Sequence, residues 1–174
     1  SSSYSNSETL DMVAWCWKAG GAPDAGFRPD DAMVDGEATT CSALAAKAGA
    51  TLTPKAMTVG TETGFSIINY TIGNSSTPDN FKIPHGLNKP PEVVIVKCWD
   101  QSGAHESQMW CTYHHSCPAT AGYLNKNDQF VNSSYTVNWH GTQPDSNCFT
   151  VGTGTGNNGS GDTCRQNDSY IAYC

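Results

Sequence analysis

The chain has 174 residues, enough for one domain that buries a real core. Charged residues make up only 14%. Sixteen acidic against nine basic side chains leave a net charge of -7, which argues against nucleic acid, because a phosphate backbone demands clustered cations. No run approaches the roughly 20 apolar residues of a membrane helix, and without a signal peptide or initiator Met residue 1 reads as a processed or trimmed start.

Residues 1–9 are polar and Ser-rich, a composition that frays. Residues 12–18 read as a first strand, ended by Gly20-Gly21, and the acidic stretch 22–40 as irregular. Residues 41–50, rich in Ala, predict a short helix. Strands are then expected near 56–60, 64–72, 92–99, 108–114, 121–125, 135–139, 147–152 and 168–174, with a Gly-rich tip at 154–161. Short apolar runs about ten residues apart suit an all-β fold, a single antiparallel β-sandwich or jelly-roll-like domain. Residues 1–21 would form a tail with a candidate donor strand, and residues 22–174 the sandwich.

The chain repeats one phrase. Val13-Ala14-Trp15-Cys16 is echoed by Ile171-Ala172-Tyr173-Cys174, each β-branched, then Ala, aromatic and Cys. A domain needs one copy of a given strand, so the spare suggests a strand that belongs to a neighbour, with Val13, Trp15 and Trp17 alternating onto one face to fill pockets.

The eight cysteines, Cys16, Cys41, Cys98, Cys111, Cys117, Cys148, Cys164 and Cys174, contain no C-x-x-C pair. An even count without metal spacing reads as a disulfide framework in an oxidising compartment. Cys111/Cys117 and Cys148/Cys164 are plausible local staples, and the pairing as a whole stays open.

Other constellations have plain explanations. His85-Gly86-Leu87 before Pro90-Pro91 reads as a turn with a packing histidine. Cys111, His114, His115 and Cys117 imitate a zinc site, but adjacent histidines in a strand point to opposite faces, so a disulfide and turn is the better account and no metal is assigned. The 154–159 run matches G-x-G-x-x-G without the helix a dinucleotide site needs. The carboxylates of 24–37 could hold calcium but lack the spacing of a calcium loop, so no cofactor is expected. With no G-x-S-x-G elbow or H-E-x-x-H pair, no catalytic residue is assigned and the chain does not read as an enzyme. Glycosylation sequons fall at Asn69, Asn74, Asn132, Asn158 and Asn167. Asn74, Asn132 and Asn158 lie in expected loops or strand ends, and Asn69 lies within a strand. Trp15, Trp17, Trp99, Trp110 and Trp139 could form a sugar-stacking platform, although aromatics ordinarily build the core and interfaces of a β-sandwich; of the five, Trp99 and Trp139 stand nearest strand ends and are the better candidates for exposure.

Several phrases together resemble a known family. They are Ala14-Trp15-Cys16-Trp17-Lys18-Ala19-Gly20-Gly21, Gly64-Phe65-Ser66-Ile67-Ile68-Asn69-Tyr70-Thr71, the run from His85 to Lys97, Tyr113-His114, Tyr123-Leu124-Asn125, Phe149-Thr150-Val151-Gly152 and Tyr170-Ile171-Ala172-Tyr173-Cys174. In this order they resemble the β-rich repeat modules of bacteriophage tail-fibre and virion-associated proteins. The extra cysteines and the acidic 22–40 insert depart from that pattern and suit an independent secreted fibre subunit. The resemblance implies that residues 12–17 correspond to the closing strand of a preceding module, and that the role is extracellular and structural or adhesive. The expected protein is a glycosylated extracellular subunit, of a secreted filament or a virion surface, whose partners are copies of itself. The alternative is a carbohydrate-binding adhesion module with glycans as partners. Neither reading involves nucleic acid or membrane insertion.

Overall fold

Residues 65–71 and 93–98 bury every second side chain, the period of a strand with one face on a core. The computed structural model describes residues 16–21, 29–73, 80–100, 109–117, 119–152 and 162–174. Its elements are β1 (Asp31–Val34), β2 (Glu37–Thr40), α1 (Cys41–Ala48), β3 (Ala56–Gly60), β4 (Phe65–Thr71), β5 (Asn80–Pro84), β6 (Val93–Asp100), β7 (Trp110–His114), β8 (Ala121–Tyr123), α2 (Asn132–Trp139), β9 (Cys148–Gly152) and β10 (Ser169–Tyr173).

Eight strands form one sheet in the order β2-β1-β3-β4-β10-β6-β7-β8, and β5 pairs with β9 in a second. All pairings are antiparallel except β1 with β3. The inner face of the large sheet carries Met57, Ile68, Tyr70, Val94, Val96, Cys111, Tyr113, Tyr170 and Ala172. It packs on Ile83, Phe149 and Val151 of the small sheet and on Trp139 of α2. Tyr70 stacks on Tyr170 at 5.1 Å and meets the Phe149 edge at 6.5 Å, so aromatic rings join the two layers. The domain is all-β and sandwich-like, with two helices among the described residues, and neither is long and apolar enough to cross a membrane.

The structure departs from the sequence expectations at four places. Residues 31–40 are a hairpin, not an irregular loop. Asp35 and Gly36 both take positive φ (51° and 89°) and close the turn between β1 and β2. The acidic groups there are engaged: Asp30 Oδ1 accepts from the Ser42 amide at 2.6 Å and the Ser42 hydroxyl at 2.8 Å, and Asp35 takes both the amide and the hydroxyl of Thr61. Residues 135–139 are helical, because Tyr135, Asn138 and Trp139, spaced i, i+3, i+4, are the residues buried. β5 fills a stretch where no strand was expected. Residues 16–19 carry no strand; the rest of the expected first strand, 12–15, lies outside the described residues, as does the 154–161 tip.

The Ala-rich helix is as expected. Thr40 caps α1 by accepting from the Ala43 amide, and Gly49 ends it at φ 64°.

Candidate functional site

Trp17 and Cys174 meet on β4. Cys174 exchanges backbone hydrogen bonds with Ser66, at 2.9 and 3.0 Å. One residue earlier, the Phe65 ring carries Trp17 stacked at 5.6 Å. Residues 18–21 run on across the same sheet. Lys18 O accepts from Thr63, Gly21 O from Thr58, and Gly20 O from the Gly36 amide at 2.7 Å. A Cβ on Gly20 would lie 1.8 Å from Val59 O, so only glycine lets the backbone approach so closely.

The outer face of the large sheet continues from there. Tyr173 lies between Ile67 and Ile95, and Ile171 between Asn69 and Lys97, with Lys97 opposite Trp110. Lys97 Nζ sits 5.8 Å from the Trp110 ring centroid. Trp99 is 58% exposed, as expected at a strand end, whereas Trp139, expected exposed, is 1% exposed and lies in the core. Trp17 stays 64% exposed despite its stacking, and Val13 and Trp15 lie outside the described residues.

Asn74 and Asn158 also lie outside them. Asn132 and Asn167 are exposed, at the start of α2 and in a turn with φ 64°. Asn69 stands on the outer face, but its Oδ1 is buried without a partner. His85 is the packing residue expected: it is fully buried, and both ring nitrogens are bonded.

The disulfide framework is corrected: all eight cysteines are unbridged. Cys111 faces the core from β7, while Cys117 is exposed in the turn beyond it. Cys148 turns toward α1, its thiol 3.6 Å from Ala48 O, whereas Cys164 follows Thr163, whose carbonyl takes the Tyr70 hydroxyl. The fold uses most of these thiols as small apolar side chains. Burial pushes Cys41 up to about 12, helped by the Asp30 and Asp31 charges, and Cys148 to about 11. Cys174 is likewise pushed up by burial to about 12. We expect two fast-reacting thiols in the native protein, Cys16 and Cys117, and eight after denaturation, counted with a chromogenic disulfide reagent. An unfolded count below eight would mean that bridges exist.

His114 and His115 lie with rings 6.2 Å apart and 21° from parallel. Opposite faces were expected, but His115 belongs to the turn after β7. Among the described residues no group of three or more His, Cys, Asp or Glu could hold a metal ion.

A polar network holds α2, β8 and the segment before β10 together. Asn138, fully buried, donates from Nδ2 to the Tyr123 hydroxyl at 3.2 Å and accepts at Oδ1 from the Asp162 amide at 2.8 Å. Tyr123 donates to Asp162 Oδ2 at 3.1 Å, and Arg165 pairs with Asp162 Oδ1 at 3.3 Å. The Thr163 hydroxyl closes on Asn138 O at 2.6 Å. Nothing in the sequence singled out these residues, because the network joins three separated segments.

Fold and surface together define a sandwich-like β module in which Trp17 and Cys174 converge on one strand. The chain belongs to the family described as Domain of unknown function (DUF7483), whose model matches residues 1–174. No curated protein and no solved structure matches it.

Proposed function

We propose that this chain is an extracellular structural module that joins copies of itself head to tail through its N-terminal segment. The observation that carries the reading is the meeting on β4. β10, with Ile171-Ala172-Tyr173-Cys174, fills the slot between β4 and β6 and bonds on both sides. That slot has no room for the second copy of the phrase, at Val13-Ala14-Trp15-Cys16. Trp17, the residue after that copy, rests on Phe65, one residue from the Ser66 that holds Cys174. A seat of this kind can be filled from the same chain or from a neighbour, the relation that underlies strand exchange.

The resemblance to tail-fibre modules supports the structural role. Exposed sequons at Asn132 and Asn167 suit a glycosylated surface.

Negative-stain micrographs of the full chain are expected to show filaments, and deletion of residues 1–17 to abolish them while circular dichroism stays that of a folded β domain. Filaments that survive the deletion, or a full-length protein that stays monomeric, would overturn the proposal.

A further inference from the structure

We propose that the cleft between β8 and the start of α2 binds a neutral saccharide through the Tyr123 ring, Asp128, Gln129 and Ser134. Tyr123, Asp128, Gln129, Val131 and Ser134 line a hollow of about 310 Å³. That is the low end of the about 300–1,000 Å³ usual for small-ligand sites, a size for one or two sugar rings. Another concavity, between α1 and the β5 end, holds about 70 Å³ and is too small for such a ligand.

The lining selects the ligand class by elimination. A metal ion needs several hard or soft ligands, and this wall offers one carboxylate and no imidazole or thiolate. A phosphate or other anion would meet the Asp128 carboxylate, with Lys126 at the Tyr123 ring offering a single exposed charge against it, on a chain of net charge -7. An apolar ligand would leave three polar side chains desolvated. A sugar hydroxyl both donates and accepts. Asp128 accepts, and Gln129 and Ser134 do both. The Val131 methyls and the electron-rich face of Tyr123 suit the C–H face of a pyranose ring.

Two features make the cleft a built one. Gly122 has no side chain, and a Cβ there would lie 2.3 Å from the Phe130 ring. Phe130 can therefore lie against β8 and fix the residues on either side of it, Gln129 and Val131. Behind the cleft the Asn138–Tyr123–Asp162–Arg165 network locks the Tyr123 hydroxyl, so the ring does not have to be ordered on binding. Lys126 Nζ lies over one face of the Tyr123 ring, 5.0 Å from the centroid, so a sugar stacking on that face displaces the ammonium. Its long stem lets the ammonium yield that face or donate to a hydroxyl.

The inference does not depend on how the chain assembles. It is tested on the full chain by saturation-transfer NMR, which tolerates polymers, with glucose, galactose, mannose, N-acetylglucosamine and their β-linked disaccharides as probes. At least one probe is expected to receive transfer on its ring C–H protons. Asp128→Ala and Gln129→Ala, at exposed positions, should weaken its affinity about tenfold or more while the far-ultraviolet spectrum is unchanged. Trp110→Ala should leave it as it was. No transfer from any probe would overturn the proposal. So would transfer that survives Asp128→Ala and disappears in Trp110→Ala, which would move sugar binding to the tryptophans of the outer sheet face.

Discussion

Replacing Trp139 by alanine is expected to remove about 3–5 kcal/mol of stability, the usual cost of truncating a large buried aromatic. Whole domains are stable by only about 5–15 kcal/mol, so this one change would bring the protein close to unfolding. The indole is 1% exposed and is the largest wholly buried side chain among the described residues. It touches Tyr113 of the large sheet at 6.1 Å and Phe149 of the small sheet at 6.4 Å, and its own backbone forms a bridge to Gly152. Losing it therefore opens a void where both sheets and α2 meet. The Nε1–H is buried without a partner. Trp139→Phe should therefore be milder than the alanine by at least about 1 kcal/mol, since it removes that orphaned donor and keeps a ring in the gap. Urea denaturation checks both variants through the midpoint at unchanged m. An alanine variant that loses under about 1 kcal/mol would show that the indole does not hold the layers together.

The same residue shows where sequence reading reached and where it stopped. The stretch 135–139, Tyr-Thr-Val-Asn-Trp, is β-branched and aromatic, a strand composition by propensity. Tertiary packing overrides that preference, and the only local trace is the i, i+3, i+4 spacing of Tyr135, Asn138 and Trp139. β3, β4, β6, β7, β9 and β10 were legible because short apolar runs bounded by Gly, Pro or Asn leave few alternatives. β1 and β2 were hidden by their acidic residues, although Asp35-Gly36 between short flanks is a strong hairpin signal. Two of the carboxylates that suggested a solvated loop, Asp30 and Asp35, accept from the Ser42 and Thr61 amides instead. The cysteines misled for a related reason: composition suggests bridges, but a thiol is also a good core atom. Of the candidate surface, exposed Trp99 was legible at its strand end. The saccharide cleft was not, because it depends on Phe130 lying over Gly122 and on a network spanning Tyr123 to Arg165, contacts that no local pattern encodes.

His85 should be the second costly position, and it should make the fold acid-sensitive. It follows β5, is fully buried and serves as a clamp: Nε2–H donates to Asp145 O at 3.0 Å, while Nδ1 accepts from the Leu87 amide at 3.2 Å. His85→Ala leaves the Leu87 amide buried without a partner, at about 1–3 kcal/mol, and adds the lost packing and the lost bond to Asp145 O, so a total near 3–5 kcal/mol is expected. The arrangement fits only the neutral ring. A second proton on Nδ1 would confront the Leu87 N–H, and burial lowers the pKa of His85 below its ordinary 6.5, against smaller opposing contributions from its hydrogen bond to Asp145 and from the Asp145 charge. Below that ordinary value the unfolded chain takes up a proton that the folded one refuses, so the unfolded state binds more protons and stability falls with pH. The loss begins as pH drops through about 6.5 and levels off below the depressed folded value, with a slope of at most about 1.4 kcal/mol per pH unit. Asp145 adds a separate loss at lower pH. Burial alone would raise its carboxyl, but the Cys148 and Asn147 amides hold it below the usual range, and that stabilisation disappears as the carboxyl is protonated. Denaturation midpoints between pH 7.5 and 4.5 test this. The wild-type decline just below pH 6.5 should be absent in His85→Gln, whose amide can donate and accept without titrating. If the variant declines as steeply as the wild type over that interval, His85 is not the group that makes the fold acid-sensitive.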